Sequence, residues 1–155
     1  PIRDMITKRE INWLPDLNLE VNEPLEPEAN AIELSRSFIL FCLHEAILKY
    51  GQDLKNKQWI IEPLANMVIA VSIMDTGYKR YMQIKDGKHK DETRDVVKLS
   101  VVDQFQNCHN NGIDIIKELF IGAELAEKSA LINRWYIKTD YMPMRIECQK
   151  KKLSS

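Results

Sequence analysis

Apolar residues recur every three or four positions over most of the chain, the spacing that gathers them on one side of an α-helix. The densest stretch is "MVIAVSIM", residues 67 to 74, with seven apolar residues in eight. Around it Ile61, Leu64, Met67, Val68, Val71, Met74, Tyr78, Tyr81 and Met82 keep helical spacing. Between Met67 and Met74 the apolar face widens until it nearly encircles the axis, the pattern of a helix packed on more than one side. A bilayer span takes about 20 predominantly apolar residues. Here Glu62, Pro63 and Asn66 interrupt one end, and Asp75, Lys79 and Arg80 close the other. The pattern predicts a central bundle helix, not a membrane span. Pro63 has no amide hydrogen and suits a first turn, which places the start at residues 59 to 62 and the end near Ile84, before the Asp86-Gly87 turn.

Three further helices follow from the same reasoning. Asn30 and Glu33 have capping-box spacing, and the helix they open runs to Tyr50, with Gly51 as its stop. Ile32, Phe38, Ile39, Cys42, Leu43, Ala46, Ile47 and Tyr50 form its predicted buried face. After the Asp86-Gly87 turn, Asp91 and Glu92 supply the negative charge that a helix N-terminus favours. Val97, Val101, Phe105, Cys108, Gly112, Ile115 or Ile116 and Leu119 then trace one stripe, widened by Val102, Ile113 and Phe120 and ended at Gly122. The last helix spans Ala123 to Tyr136, anchored by Leu125, Leu131, Ile132, Trp135 and Tyr136.

The ends read differently. "PIRDMITKREINWL" puts Ile2, Met5, Ile6 and Trp13 on one side of a short helix, and "PDLNLEVNEPLEPEAN", with three prolines and five acidic residues, reads as an extended linker. The expected organisation is an N-terminal arm and linker over residues 1–29, a helical bundle over 30–138 and an irregular basic tail over 139–155. Three long helices and a shorter one with short connections favour an all-α, up-down-up-down four-helix bundle.

Composition narrows the function classes. At 155 residues the chain is one domain by size. A net charge of -1, from 22 basic and 23 acidic residues, gives no field for a polyanion, so nucleic acid is not an expected partner. Cys42, Cys108 and Cys148 are odd in number and lack CxxC spacing, which points to buried thiols in a reducing, intracellular and cytoplasmic setting. No secretory segment is visible, and the opening Pro1 suggests processing or excision from something longer. Five glycines argue against glycine-rich nucleotide loops.

No chemistry converges in the sequence. None of His44, His89 and His109 has a glutamate three residues before it, as a di-metal carboxylate bundle requires. His44 and Glu45 are adjacent and so diverge around a helix, and the same holds for Cys108 and His109 as a nucleophile pair. Asp75 after its apolar run resembles a buried general base, but Lys79 one turn on offers an ordinary ion pair. Pro1 as a catalytic amine would need an opening β-strand, which the pattern does not provide. The arm's apolar Ile2, Met5, Ile6 and Trp13, with Arg3, Lys8 and Arg9, suit either a peripheral membrane surface or a neighbouring domain.

"ELSRS" at residues 33 to 37, "KYGQDLKNKQW", "LANMVIAVSIM" and the "DGKHKDET" turn follow one another in an order that resembles the C-terminal accessory helical region of the larger, very-long-chain-type acyl-CoA dehydrogenases. Leu64-Ala65, Ile69 and Met74 match that region's LA…I…M pattern, and the similarity covers residues 30 to 121. The resemblance implies a non-catalytic four-helix domain serving packing, dimer stabilisation or docking. Its partners would be the catalytic portion of the parent enzyme and a second protomer. FAD and the catalytic base would belong to that parent portion, so no catalytic, cofactor-binding or metal-ligating residue is assigned here. Two other readings stand beside it: a free-standing helical interaction or regulatory module, and an enzyme using Asp75 in an interior cavity.

Overall fold

The computed structural model of the chain describes Trp13, Pro15 and residues 25–139. Every regular element among them is helical: α1 (Glu26–Tyr50), a 3-10 helix (Gly51–Asn56), α2 (Gln58–Gln83), α3 (Lys88–Leu119) and α4 (Gly122–Thr139). The all-α expectation holds. Apart from Trp13, Pro15 and residues 25–29, the arm and linker lie outside the described residues, as does the tail beyond residue 139.

Several boundaries differ from the sequence reading. α1 starts at Glu26 and not at Asn30, because Pro27 fits a first turn, where its missing amide costs no hydrogen bond, and Glu26 and Glu28 place negative charge there. Asn30 is therefore inside the helix, and Glu33 pairs with Arg36 and does not cap. Gly51 ends α1 as expected: at φ 56° it takes the left-handed backbone that suits glycine, and its amide bonds the Ile47 carbonyl. α2 begins at Gln58, so Pro63 lies one turn further in than expected and denies the Trp59 carbonyl its usual donor. α3 starts at Lys88 and ends at Leu119. Gly122, expected to end that helix, instead opens α4.

α2 and α3 make the most extensive interface. Met67, Ala70, Val71 and Met74 of α2 share one buried cluster with Val97, Val101, Phe105 and Cys108 of α3. The whole stripe expected on α3 is buried, Gly112 included. α1 lies over it: a methyl group at Gly112 would sit 2.2 Å from Phe38 Cε1, so the missing side chain is what admits the Phe38 ring. Cys42 Sγ lies 3.9 Å from the Gly112 carbonyl, and Lys49 Nζ donates to the Leu119 carbonyl at 3.0 Å. That ammonium satisfies a terminal carbonyl of α3, which has no partner within its own helix. α4 closes the cluster with rings: Trp135 meets Phe41 edge-on at 5.7 Å, and Tyr136 packs 4.9 Å from Phe105.

Two buried faces turn out rotated. On α1 the interior takes Ala31, Leu34, Phe38, Phe41, Cys42 and Ala46, while Leu43 and Ile47, expected inside, point outward with Leu40. On α2 the interior takes Ile60, Met67, Ala70, Val71, Met74 and Tyr81, while Val68 and Met82 face out. α2 is packed on more than one side, against α1 and α3, as expected, but the neighbouring helices do not shield its whole apolar middle, since Ile69 and Ile73 are exposed as well. By length and composition α2 is long and apolar enough to cross a bilayer. Its Met67, Ala70 and Met74 are nonetheless packed against protein.

Candidate functional site

Asp75 sits at the α1–α2 boundary. Its carboxylate bonds Lys79 at 2.8 Å and Arg36 at 3.0 Å. The Lys79 hydrogen bond holds its pKa below the ordinary 3.8, with Arg36 adding to it, which is the opposite of a general base tuned upward. His44 is half-buried, 5.1 Å from the Trp13 ring and 3.7 Å from Glu45 Oε1. His109 lies under Tyr136, ring centroids 4.3 Å apart, and burial pushes its pKa down. His89 is exposed at the start of α3. The three histidines do not meet, and among the described residues no group of His, Cys, Asp or Glu could hold a metal ion. Cys42 and Cys108 are free and buried, and burial pushes both thiols up, Cys108 to about 12. Such thiols stay protonated and are poor nucleophiles. Pro1 and Cys148 lie outside the described residues.

One buried carboxyl escaped the sequence reading. Glu28, in the first turn of α1, is buried with Oε1 3.5 Å from Lys98 Nζ. Burial raises its pKa, and the Lys98 ammonium offsets that only in part. Among the described residues no cluster of His, Cys, Asp or Glu forms around it, and the pair links α1 to α3.

The surface is more informative than the interior. Arg36 fixes the level of α1 against Asp75 of α2. From Arg36, the positions four, seven and eleven residues on return to the same side of the helix, and these are Leu40, Leu43 and Ile47, 54%, 37% and 44% exposed. From Asp75, the position seven residues back is Val68, 49% exposed. Leu64 lies partly buried at the foot of the same side. The result is an apolar strip over the α1–α2 seam, closed at one end by the Glu33–Arg36–Asp75–Lys79 chain of ion pairs. A second apolar area lies between α2 and α3. There a groove of about 480 Å³ has Ile73, Gly77 and Val96 on its walls and Arg80, His89 and Glu92 along its course.

Trp13 is the one apolar member of the N-terminal segment that is described. Its ring is half-buried against α1, edge-on to Phe41 at 6.0 Å. No family model, curated protein or solved structure matches the chain.

Proposed function

We propose that this chain is a docking module, a helical bundle whose α1–α2 seam rests on another protein surface. The observation that carries this is the strip of Leu40, Leu43, Ile47 and Val68, large aliphatic side chains at helical spacing with a third to a half of their surface open. Singly exposed apolar residues are normal, whereas a run that joins two helices and is closed by charge marks an interaction site. The ion pairs and rings that link the helices fit an up-down-up-down bundle, which holds the seam rigid.

The resemblance noted in the sequence supplies the partner: the catalytic portion of an FAD-dependent acyl-CoA dehydrogenase, with this bundle as its accessory C-terminal domain. In that reading flavin and substrate bind elsewhere in the parent, and the bundle contributes packing and dimer stability. A free-standing interaction module would use the same strip on a separate protein, and the reading frame upstream of Pro1 separates the two. Hydroxyl-radical footprinting tests the docking itself. Leu40, Leu43, Ile47 and Val68 should label strongly in the isolated chain and be protected in the complete parent protein. Equal labelling in both would overturn the reading.

A further inference from the structure

The other apolar area of α2 has a property of its own. Glu62, Asn66, Ile69, Ile73, Thr76 and Arg80 follow one another at steps of four and three residues, which sets them in a single stripe along the helix. All six are exposed, Ile69 at 56% and Ile73 at 41%. The stripe is symmetric in position about Val71, with like residues near its centre and opposite charges at its ends. Ile69 and Ile73 are equally far from it, as are Asn66 and Thr76, and so are Glu62 and Arg80. Ala65 and Gly77, a small residue on each side, flank the stripe with the same symmetry.

We infer that the chain self-associates through α2, a second copy packing antiparallel on this stripe about a two-fold axis level with Val71. In that arrangement each Ile69 lies against Ile73 of the second copy, each Asn66 beside Thr76 and each Glu62 beside Arg80. A two-fold interface demands a self-complementary surface, because each residue pair occurs twice. A charge at one end must therefore meet its opposite at the other end, which Glu62 and Arg80 provide. Among the described residues neither engages in an ion pair within its own chain. Arg80 shares the α2–α3 groove with Glu92 and His89, while the Asn66 amide donates to Asn111 Oδ1 at 3.3 Å and so is held in place on this face. The stripe spans about 27 Å of helix, with the apolar pair at its centre and charge at its rim, the usual anatomy of a protein interface. An unrelated helix or a lipid surface would have no need of matched ends.

This inference does not depend on the docking strip, which lies on the α1 side of α2. Sedimentation velocity on the chain of residues 1–155, at concentrations up to about 200 µM, tests it. The expected result is a monomer–dimer equilibrium. Reversing one rim charge, Glu62→Arg or Arg80→Glu, should weaken it about tenfold at low salt, since two like-charge contacts then form at once. The double variant Glu62→Arg/Arg80→Glu should recover the dimer to within about threefold, because the pairs re-form with signs exchanged. Ile73→Ser should weaken association about tenfold while leaving the helical circular dichroism of the monomer unchanged. A wild-type chain that remains monomeric at the highest concentration would overturn the inference and leave the face to another protein or to lipid. So would a double variant that stays as weak as the single ones. Leu43→Ser and Ile47→Ser should not alter the equilibrium, which keeps a failure here distinct from a failure of the docking reading.

Discussion

Gly112 and Gly77 are both glycines inside helices, yet they predict opposite outcomes on substitution. Alanine in a helix interior is worth about 0.5–1 kcal/mol over glycine. At Gly77 a methyl group would meet only Val97, at 3.8 Å, an ordinary contact, so Gly77→Ala should stabilise the fold by roughly that amount, read as a higher urea midpoint. At Gly112 the methyl group would strike the Phe38 ring, and Gly112→Ala should lose about 1–3 kcal/mol through overpacking. The pair Gly112→Ala/Phe38→Leu should recover part of that loss, because the shorter side chain leaves room. Glu28 gives a prediction in pH. Its carboxyl holds its proton more tightly in the folded chain than the ordinary value of 4.5, as its burial dictates. The folded state therefore loses stability as pH rises from about 4.5 through the raised folded value, and above that the loss is constant. Glu28→Gln mimics the protonated form and has no such slope. It should melt above wild type at about pH 8 and match it near about pH 4. A lower melting temperature at pH 8 would show that the Lys98 attraction outweighs the burial cost.

Among the helices, the buried face of α3 was the most legible in the sequence, although its end was not, and the reason is its contrast. Val97, Val101, Phe105, Cys108 and Gly112 stand among Asp103, Gln104, Gln106 and Asn107, so only one side can face inward. α1 and α2 lack that contrast. "SFILFCLHEAIL" carries apolar residues on nearly every side, and periodicity alone does not choose between the face centred on Phe38 and Phe41 and the face of Leu40, Leu43 and Ile47. The choice came from partners remote in sequence: the vacancy at Gly112 and the rings of Trp135 and Tyr136. The docking strip was hidden for the same reason, because Leu43, Ile47 and Val68 read as core. The orientation can be checked by stability. Phe41→Ala should cost about 3–5 kcal/mol, whereas Leu43→Ser and Ile47→Ser should stay within about 0.5 kcal/mol in the isolated chain. A reversed ranking of the urea midpoints would restore the rotation that periodicity suggested.

At the scale of the whole molecule, two apolar strips flank α2, one toward α1 and one toward α3. Neither contains a motif, which is why function was far less legible than fold: contact surfaces are set by shape and exposure, not by residue types at fixed spacing. The interior contributes no chemistry to the proposal either, since the thiols of Cys42 and Cys108 are pushed toward the protonated form and the one buried carboxyl among the described residues stands against a lysine. The links between α1 and α3 have a further consequence. Cys42 to Gly112 and Lys49 to Leu119 each join residues 70 apart in sequence, with the whole of α2 between them. Closing a segment of that length is slow compared with pairing the neighbours α2 and α3 across the short turn at Gly87. The expected order of events is an α2–α3 hairpin first and the docking of α1 afterwards. In stopped-flow experiments Met74→Ala should then slow refolding, while Phe38→Leu should chiefly hasten unfolding. Of the helices in this bundle, the one synthesised before the others would thus be among the last to find its place.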